Sequence, residues 1–100
     1  MTKKLSVVTI ARNEEDNIEE CLKSTLGWAD EHIVVDGFSV DKTVKIASKY
    51  TDKIFQRQMD MEGVHRNWAY QKAKNEWVLS LDADEVVTEE LKKEISKTIA

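Results

Sequence analysis

Four short runs rich in β-branched, aliphatic or aromatic residues alternate with stretches of helical periodicity, and this alternation restricts the fold more than any other feature. The runs are 5–11 (LSVVTIA), 32–35, 53–57 and 77–81. The first is apolar with little alternation, which suits a strand covered on both faces. After it, Asn13 or Asp16 offers a helix N-cap, and Ile18, Cys21, Leu22 and Leu26 follow at helical spacing. Gly27 stands where a glycine ends such a helix. Ser39 or Asp41 can cap a second helix with Val44, Ile46, Ala47 and Tyr50 inward. Residues 59–63 read as a loop, and 64–75 as a third helix with Val64, Trp68 and Ala73 inward. Thr88 caps a last helix, whose Leu91, Ile95 and Ile99 recur every four residues. Strands joined by helices lie parallel through right-handed crossovers. The expectation is one α/β domain over residues 1–100, with helices on both faces of a mostly parallel sheet of about four strands.

Composition excludes several classes of function. A chain of 100 residues amounts to about one domain. A single cysteine, Cys21, makes no internal disulfide, and Cys21, His32 and His65 lack the spacing of a zinc site. A net charge of −4 argues against a dedicated nucleic-acid binder. No run approaches the ~20 apolar residues of a membrane span. Lys3 and Lys4 before the first run faintly mimic a signal peptide, but Arg12 and Glu14-Glu15-Asp16 follow too soon. The expected location is cytoplasmic, with no transmembrane segment and no nucleic-acid partner.

In open parallel sheets, ligands bind beyond the carboxyl ends of the strands. Each expected strand here ends in polar groups: Arg12, Asn13 and Glu14; Asp36; Arg57; and Asp82, Asp84 and Glu85. Strand ends meet water, and Asp and Asn also start turns, so any one of these has a structural explanation. Their joint occurrence is more informative. In extended backbone, Asp82 and Asp84 point to one side. Adjacent carboxylates resist joint ionisation, and a divalent cation removes that cost. Mg²⁺ typically takes one or two carboxylates, several waters and substrate phosphates. Asp82-Ala83-Asp84 after a buried strand therefore reads as a site for a metal–diphosphate complex. Neither a dinucleotide-binding nor a P-loop glycine pattern occurs, so metal and arginine must neutralise any bound phosphates.

These residues resemble the N-terminal half of family-2 glycosyltransferases, which have the GT-A fold. The opening LSVVTIARNEEDNIEECL resembles the family's first strand, Asn-Glu turn and first helix. IVVDGFSVDKT resembles its V-D-x-x-S-x-D-x-T segment, and GVHRNWAYQKAKNEWVLSLDADE its Arg-Asn helix and the strand leading to D-x-D. VVTEELKKEI resembles the helix that follows, so the likeness spans nearly the whole chain. It implies a Rossmann-like three-layer αβα half-domain, shorter than a full glycosyltransferase. The wording around both acidic motifs is similar to enzymes of cell-envelope polysaccharide and lipopolysaccharide assembly.

The resemblance also implies roles. Ala11, Arg12 and Glu14 border the base and ribose of the donor, and Asp36 contacts one of them. Gly37 departs from a common version in which a second acidic or amide residue follows that aspartate. Arg66 and Asn67 lie near the nucleotide. Asp82 sits near the ribose or the metal, and Asp84 holds Mg²⁺ or Mn²⁺ bridging the diphosphate. The implied donor is a nucleotide diphospho-sugar, foremost a UDP-sugar. The implied reaction is inverting transfer to an acceptor hydroxyl. In the family, the general base lies beyond the helix after D-x-D, so this chain is expected to lack the base and most of the acceptor site. Glu85 and Glu89 read as helix-start acids. The alternatives are a catalytically silent piece or small interaction domain retaining the fold, and a phosphoacceptor receiver domain. The receiver reading is disfavoured because the paired acids follow the fourth strand. Elsewhere, Trp68 and Trp77 read as packing residues and His65 as a surface histidine. Cys21 reads as a buried small hydrophobe, and Lys42, Lys45, Lys49 and Lys53 as a solvated face.

Overall fold

The computed structural model describes residues 4–59 and 62–99. Four strands, β1 (Leu5–Ala11), β2 (Glu31–Asp36), β3 (Ile54–Gln56) and β4 (Trp77–Ser80), form one sheet in the order β3-β2-β1-β4. Every neighbouring pair is parallel. The helices are α1 (Ile18–Thr25), α2 (Thr43–Ala47), α3 (Glu62–Tyr70) and α4 (Glu89–Ile99).

The period of two along β1 distributes its side chains between two faces. Leu5 and Val7 pack with Cys21 of α1 and Ile99 of α4, and Ala11 packs with Ile18, Leu22 and Ala47. Val8 points the other way, with Ile33, Val35 and Ala69 of α3. So α1, α2 and α4 cover one face and α3 the other, which gives the expected three layers. Leu22 of α1 is 2% exposed, and truncating it to alanine is expected to cost about 3 kcal/mol. Helix α1 ends as expected: its C-cap is Leu26, and Gly27 follows at φ 77, where a β-carbon is strained.

Several expectations are corrected. Helix α3 starts earlier and stops at Tyr70 rather than Asn75. Val64 is half exposed, and the inward residues are His65, at 3%, and Ala69. His65 is thus a buried histidine, with its Nδ1 3.0 Å from the Arg57 guanidinium. Trp68 stands between Lys72 and Arg57 and meets Phe55 edge-on, which moors α3 to β3. Strand β4 is not buried on both faces: Trp77 is 40% exposed and Val78 38%. Leu26 also faces solvent. Helix α2 has Lys42 as its N-cap, while Asp41 accepts the Thr43 N–H at 3.0 Å one position earlier. Lys53 leaves the solvated lysine face and closes on Glu31.

Strand order positions the site. The chain steps from β1 to β2 to β3 in one direction, then returns to place β4 on the other side of β1. The switch point therefore lies between the carboxyl ends of β1 and β4. The ends are not level. Ala11 pairs with Asp36, whereas the β4 ladder ends where Ser80 meets Val8. A last bond runs from the Leu81 N–H to the Val8 carbonyl, at 2.9 Å. The residues after β4 therefore fill a step beside the final residues of β1, and Ala83 packs in the same cluster as Ala11.

Candidate functional site at the carboxyl rim of the sheet

The ends of β1 and β2 are clasped together. The Gly37 N–H donates to the Ala11 carbonyl at 2.8 Å. The Asn13 N–H donates to Ser39 Oγ at 2.8 Å, and the Val40 N–H returns to Asn13 Oδ1 at 2.9 Å. Glu14 N–H donates to Thr43 Oγ1 at 2.8 Å. The clasp requires left-handed backbone at Asn13 (φ 53) and Phe38 (φ 59). Asparagine tolerates that region, whereas for phenylalanine it is a strained position sustained by the bonds around it.

Asp36 is the hub of this clasp. It is fully buried, and its carboxylate accepts from the Ser39 hydroxyl and, at 2.8 Å, from the Ser39 N–H. Gln56 Nε2 lies 3.4 Å away. A β-carbon at Gly37 would press on the Met59 side chain, with Cγ 2.8 Å from that position. Ala11 is 1% exposed, so its side chain is part of the core and its carbonyl carries its contribution to the rim. Arg12 is exposed, and it makes no hydrogen bond or ion pair among the described residues. Glu14 accepts from Asn17 Nδ2 at 3.1 Å.

The β4 side is built differently. Asp82-Ala83-Asp84 is a turn, not extended backbone, closed by the Glu85 N–H on the Asp82 carbonyl at 2.9 Å. The two carboxylates face outward because their neighbours face inward: Leu81 is 6% exposed and Ala83 2%. Arg66 reaches from α3 to Asp82 Oδ1 at 3.0 Å and to Ser80 Oγ at 3.1 Å. Asn67, beside it, is exposed. Asp84 is exposed and makes no hydrogen bond or ion pair among the described residues. Glu85 is outside α4, which starts at Glu89 with Thr88 Oγ1 accepting the Leu91 N–H at 3.1 Å. Thr88 is thus the cap its position suggests, and Glu85 is not a helix-start acid.

The structure joins Arg66 to Asp82, and Asp36 to the Asn13–Ser39 clasp. No group of three or more His, Cys, Asp or Glu side chains gathers as a metal cage among the described residues. That donor set still fits a hard divalent cation shared with a diphosphate, because such an ion needs only one or two carboxylates from the protein. Asp84, unengaged and outward, suits that role better than Asp82, whose Oδ1 already meets a guanidinium.

Beneath the rim, Cys21 Sγ lies 3.6 Å from the Asp82 carbonyl and 3.8 Å from Thr9 Oγ1. Burial pushes the Cys21 thiol up to about 11, so it stays a thiol at neutral pH. Thr9 Oγ1 is also 2.7 Å from His32 Nε2, and Thr25 Oγ1 is 2.8 Å from His32 Nδ1. Burial pushes His32 down to about 4, which keeps the imidazole neutral. Ser39 and Ser80 support the site without having been singled out for it. Ser39 lies in the D-x-x-S segment, where its position suggests only a helix cap, and Ser80 carries no sequence signal of its own.

A groove of about 530 Å³ lies at the opposite, amino-terminal end of the sheet, lined in part by Thr25, Glu31, His32, Lys49 and Lys53. Its buried polar groups are already paired with one another, so they converge on no ligand. The carboxyl rim, with its outward polar groups, is the candidate site.

The order of the parallel strands, the aspartate clasped at the end of β2 and the outward acidic turn after β4 match the GT-A half-domain that the sequence resemblance implies. The family model described as glycosyl transferase family 2 matches residues 6–99. An uncharacterised glycosyltransferase of Rickettsia bellii is 39% identical over 100 residues, covering all of this chain and 34% of the relative. The crystal structure of Staphylococcus aureus TarS 1–349 matches with a TM-score of 0.77 and 31% identity, over 96% of this chain and 32% of that one. Glucosyl-3-phosphoglycerate synthase from Mycobacterium tuberculosis, in complex with Mg²⁺ and UDP, matches with a TM-score of 0.65 and 26% identity, over 84% and 34%. The chain belongs to glycosyl transferase family 2. It spans about a third of the length of the curated relatives it matches.

Proposed function

We propose that this chain binds the nucleotide diphosphate portion of a sugar donor at the carboxyl rim, as the donor half of an inverting sugar transfer. The observation that carries this reading is the outward Asp82–Asp84 turn at the topological switch point, with Arg66 held against Asp82. The TarS fragment crystallised with UDP-GlcNAc, and the mycobacterial synthase with UDP and Mg²⁺, support UDP as the nucleotide.

In this reading Asp84 holds Mg²⁺ or Mn²⁺, with Asp82 beside it. When bound, the cation offsets charge developing on the leaving diphosphate. Arg66 adds a fixed positive charge next to the same turn and orients Asp82. Arg12, Glu14 and the Ala11 carbonyl line the base and ribose side, with exposed Asn67 near the nucleotide. Asp36, buried and committed to Ser39, serves the nucleotide by fixing the loop beside it. The acceptor belongs to the rest of the reaction. By resemblance, the setting is assembly of a cell-envelope polysaccharide in the cytoplasm. No helix among the described residues is long and apolar enough to cross a membrane.

The test is an NMR titration of the chain with UDP in the presence of Mg²⁺, then Mn²⁺. Shifts are expected at Arg12, Arg66 and Asp84, with paramagnetic broadening centred on Asp84. An unchanged spectrum at millimolar UDP and metal overturns the reading.

A further inference from the structure

We infer that Glu85 is a positioning residue for the metal–diphosphate, holding the main chain of Asp82 so that Asp84 is presented outward, without touching the ligand itself. The inference rests on the donor-site reading above. Both backbone polar groups of Asp82 close on this one residue: the Asp82 N–H donates to Glu85 Oε1 at 2.8 Å, and the Asp82 carbonyl accepts the Glu85 N–H at 2.9 Å.

The return of an acidic side chain to the free N–H three residues before it is one half of a capping box, and a backbone turn bond takes the place of the other half. Here no helix follows directly, since α4 begins at Glu89 under its own Thr88 cap. The carboxylate therefore serves the turn alone. The turn needs it. Alternate N–H groups face opposite sides of a strand: that of Leu81 goes to Val8 of β1, so that of Asp82 faces the other side of β4, where no strand lies among the described residues. Glu85 supplies the missing acceptor from above, while the Cys21 thiol approaches the Asp82 carbonyl from α1 below. Buried Ala83 fixes the residue between them. With Asp82 and Ala83 held, the direction of Asp84 follows from the turn.

An amide oxygen supplies the same acceptor without the charge, so Glu85→Gln separates a positioning role from a ligating one. The measurements are the amide proton shifts of Asp82 and Asp84 in the free chain, and the affinity for UDP with Mn²⁺. Glu85→Ala is expected to move the Asp82 amide proton upfield and to weaken UDP–Mn²⁺ binding about tenfold. Glu85→Gln is expected to restore affinity to within about twofold of the original. Equal weakening by both variants overturns the proposal, because the charge would then be acting as a ligand. Unweakened binding in Glu85→Ala overturns it too. If Glu85→Ala fails to fold, Glu85→Gln decides alone: retained affinity supports positioning, and a tenfold loss overturns it. No response to UDP–Mn²⁺ in the unsubstituted chain overturns the donor-site reading and this proposal together. A response there with either failing pattern in the variants overturns this proposal only.

Discussion

The two ends of the sheet differ in whether their polar side chains are all paired within the chain or some are left open. At the amino-terminal end, Glu31 accepts from Ser6 Oγ at 2.6 Å, from the Lys74 N–H at 2.6 Å and from Lys53. His32 is spanned by two threonine hydroxyls. Every one of those groups has its partner inside the chain. At the carboxyl end, the side chains of Arg12, Asn67 and Asp84 are exposed to solvent. A closed polar network stabilises and specifies a fold, while an open one leaves bonding capacity for a ligand. The difference separates a structural cluster from a candidate site more sharply than cavity size does.

Four changes sharpen or break that contrast. The largest effect belongs to the closed end. His32 has its pKa lowered to about 4 by burial, against an ordinary 6.5, so the unfolded chain binds the extra proton first as pH falls. Stability is complete above pH 6.5 and is lost between there and about pH 4, by up to about 3 kcal/mol. Urea denaturation at stepped pH reads this, and the slope should flatten in His32→Gln. A flat profile in the original chain contradicts it.

Glu31→Ala comes next. Burial alone would raise the pKa of this carboxyl, but bonds from Lys53, Lys74 and Ser6 outweigh it and hold the pKa below the ordinary value. Removing the carboxylate leaves Ser6 and the Lys74 N–H without their acceptor, and about 2 kcal/mol is expected to disappear from the unfolding free energy. The Lys53 side chain is a third exposed, which limits the electrostatic share. A loss under about 0.5 kcal/mol, within the range for ordinary surface substitutions, would show that this end is not the closed network described.

Asp84→Asn is the counterpart at the open end. Metal-dependent UDP affinity should fall at least tenfold, while thermal stability changes by under about 0.5 kcal/mol. A substitution that instead unfolds the chain would erase the contrast. The smallest effect is Gly27→Ala, which places a β-carbon at φ 77 with nothing crowding it. Calorimetry should show a loss of about 1 kcal/mol from backbone strain alone.

Legibility followed how local the cause was. The β-branched run of β1, the glycine after α1 and the threonine cap of α4 act through their immediate neighbours, and each stands where the pattern indicated. Burial of His65 and exposure of Trp77 depend on where α3 crosses the sheet and on which strand lies at the edge, and neither is written in nearby residues. The same division holds at the site. Asp82 and Asp84 announce themselves by spacing, but that they lie in a turn rather than a strand depends on β4 ending at Ser80, opposite Val8. Asp36 was legible as a strand-end acid, whereas its burial under Ser39 required the clasp from Asn13 to be seen.

The pairing of β1 with β4 also governs how the molecule assembles. Leu5 lies opposite Trp77, so closing that ladder brings together segments far apart in sequence, across the other two strands and three helices. Such long-range closure is entropically costly and slow compared with forming a helix or a neighbouring crossover. The β1–β2 pairing can form from the first third of the chain, but the recess between β1 and β4 exists only once the last strand has arrived. The acidic turn therefore forms after the β1–β2 pair, and recovery of metal-dependent nucleotide binding during refolding would report the docking of β4 rather than the first strand pairing.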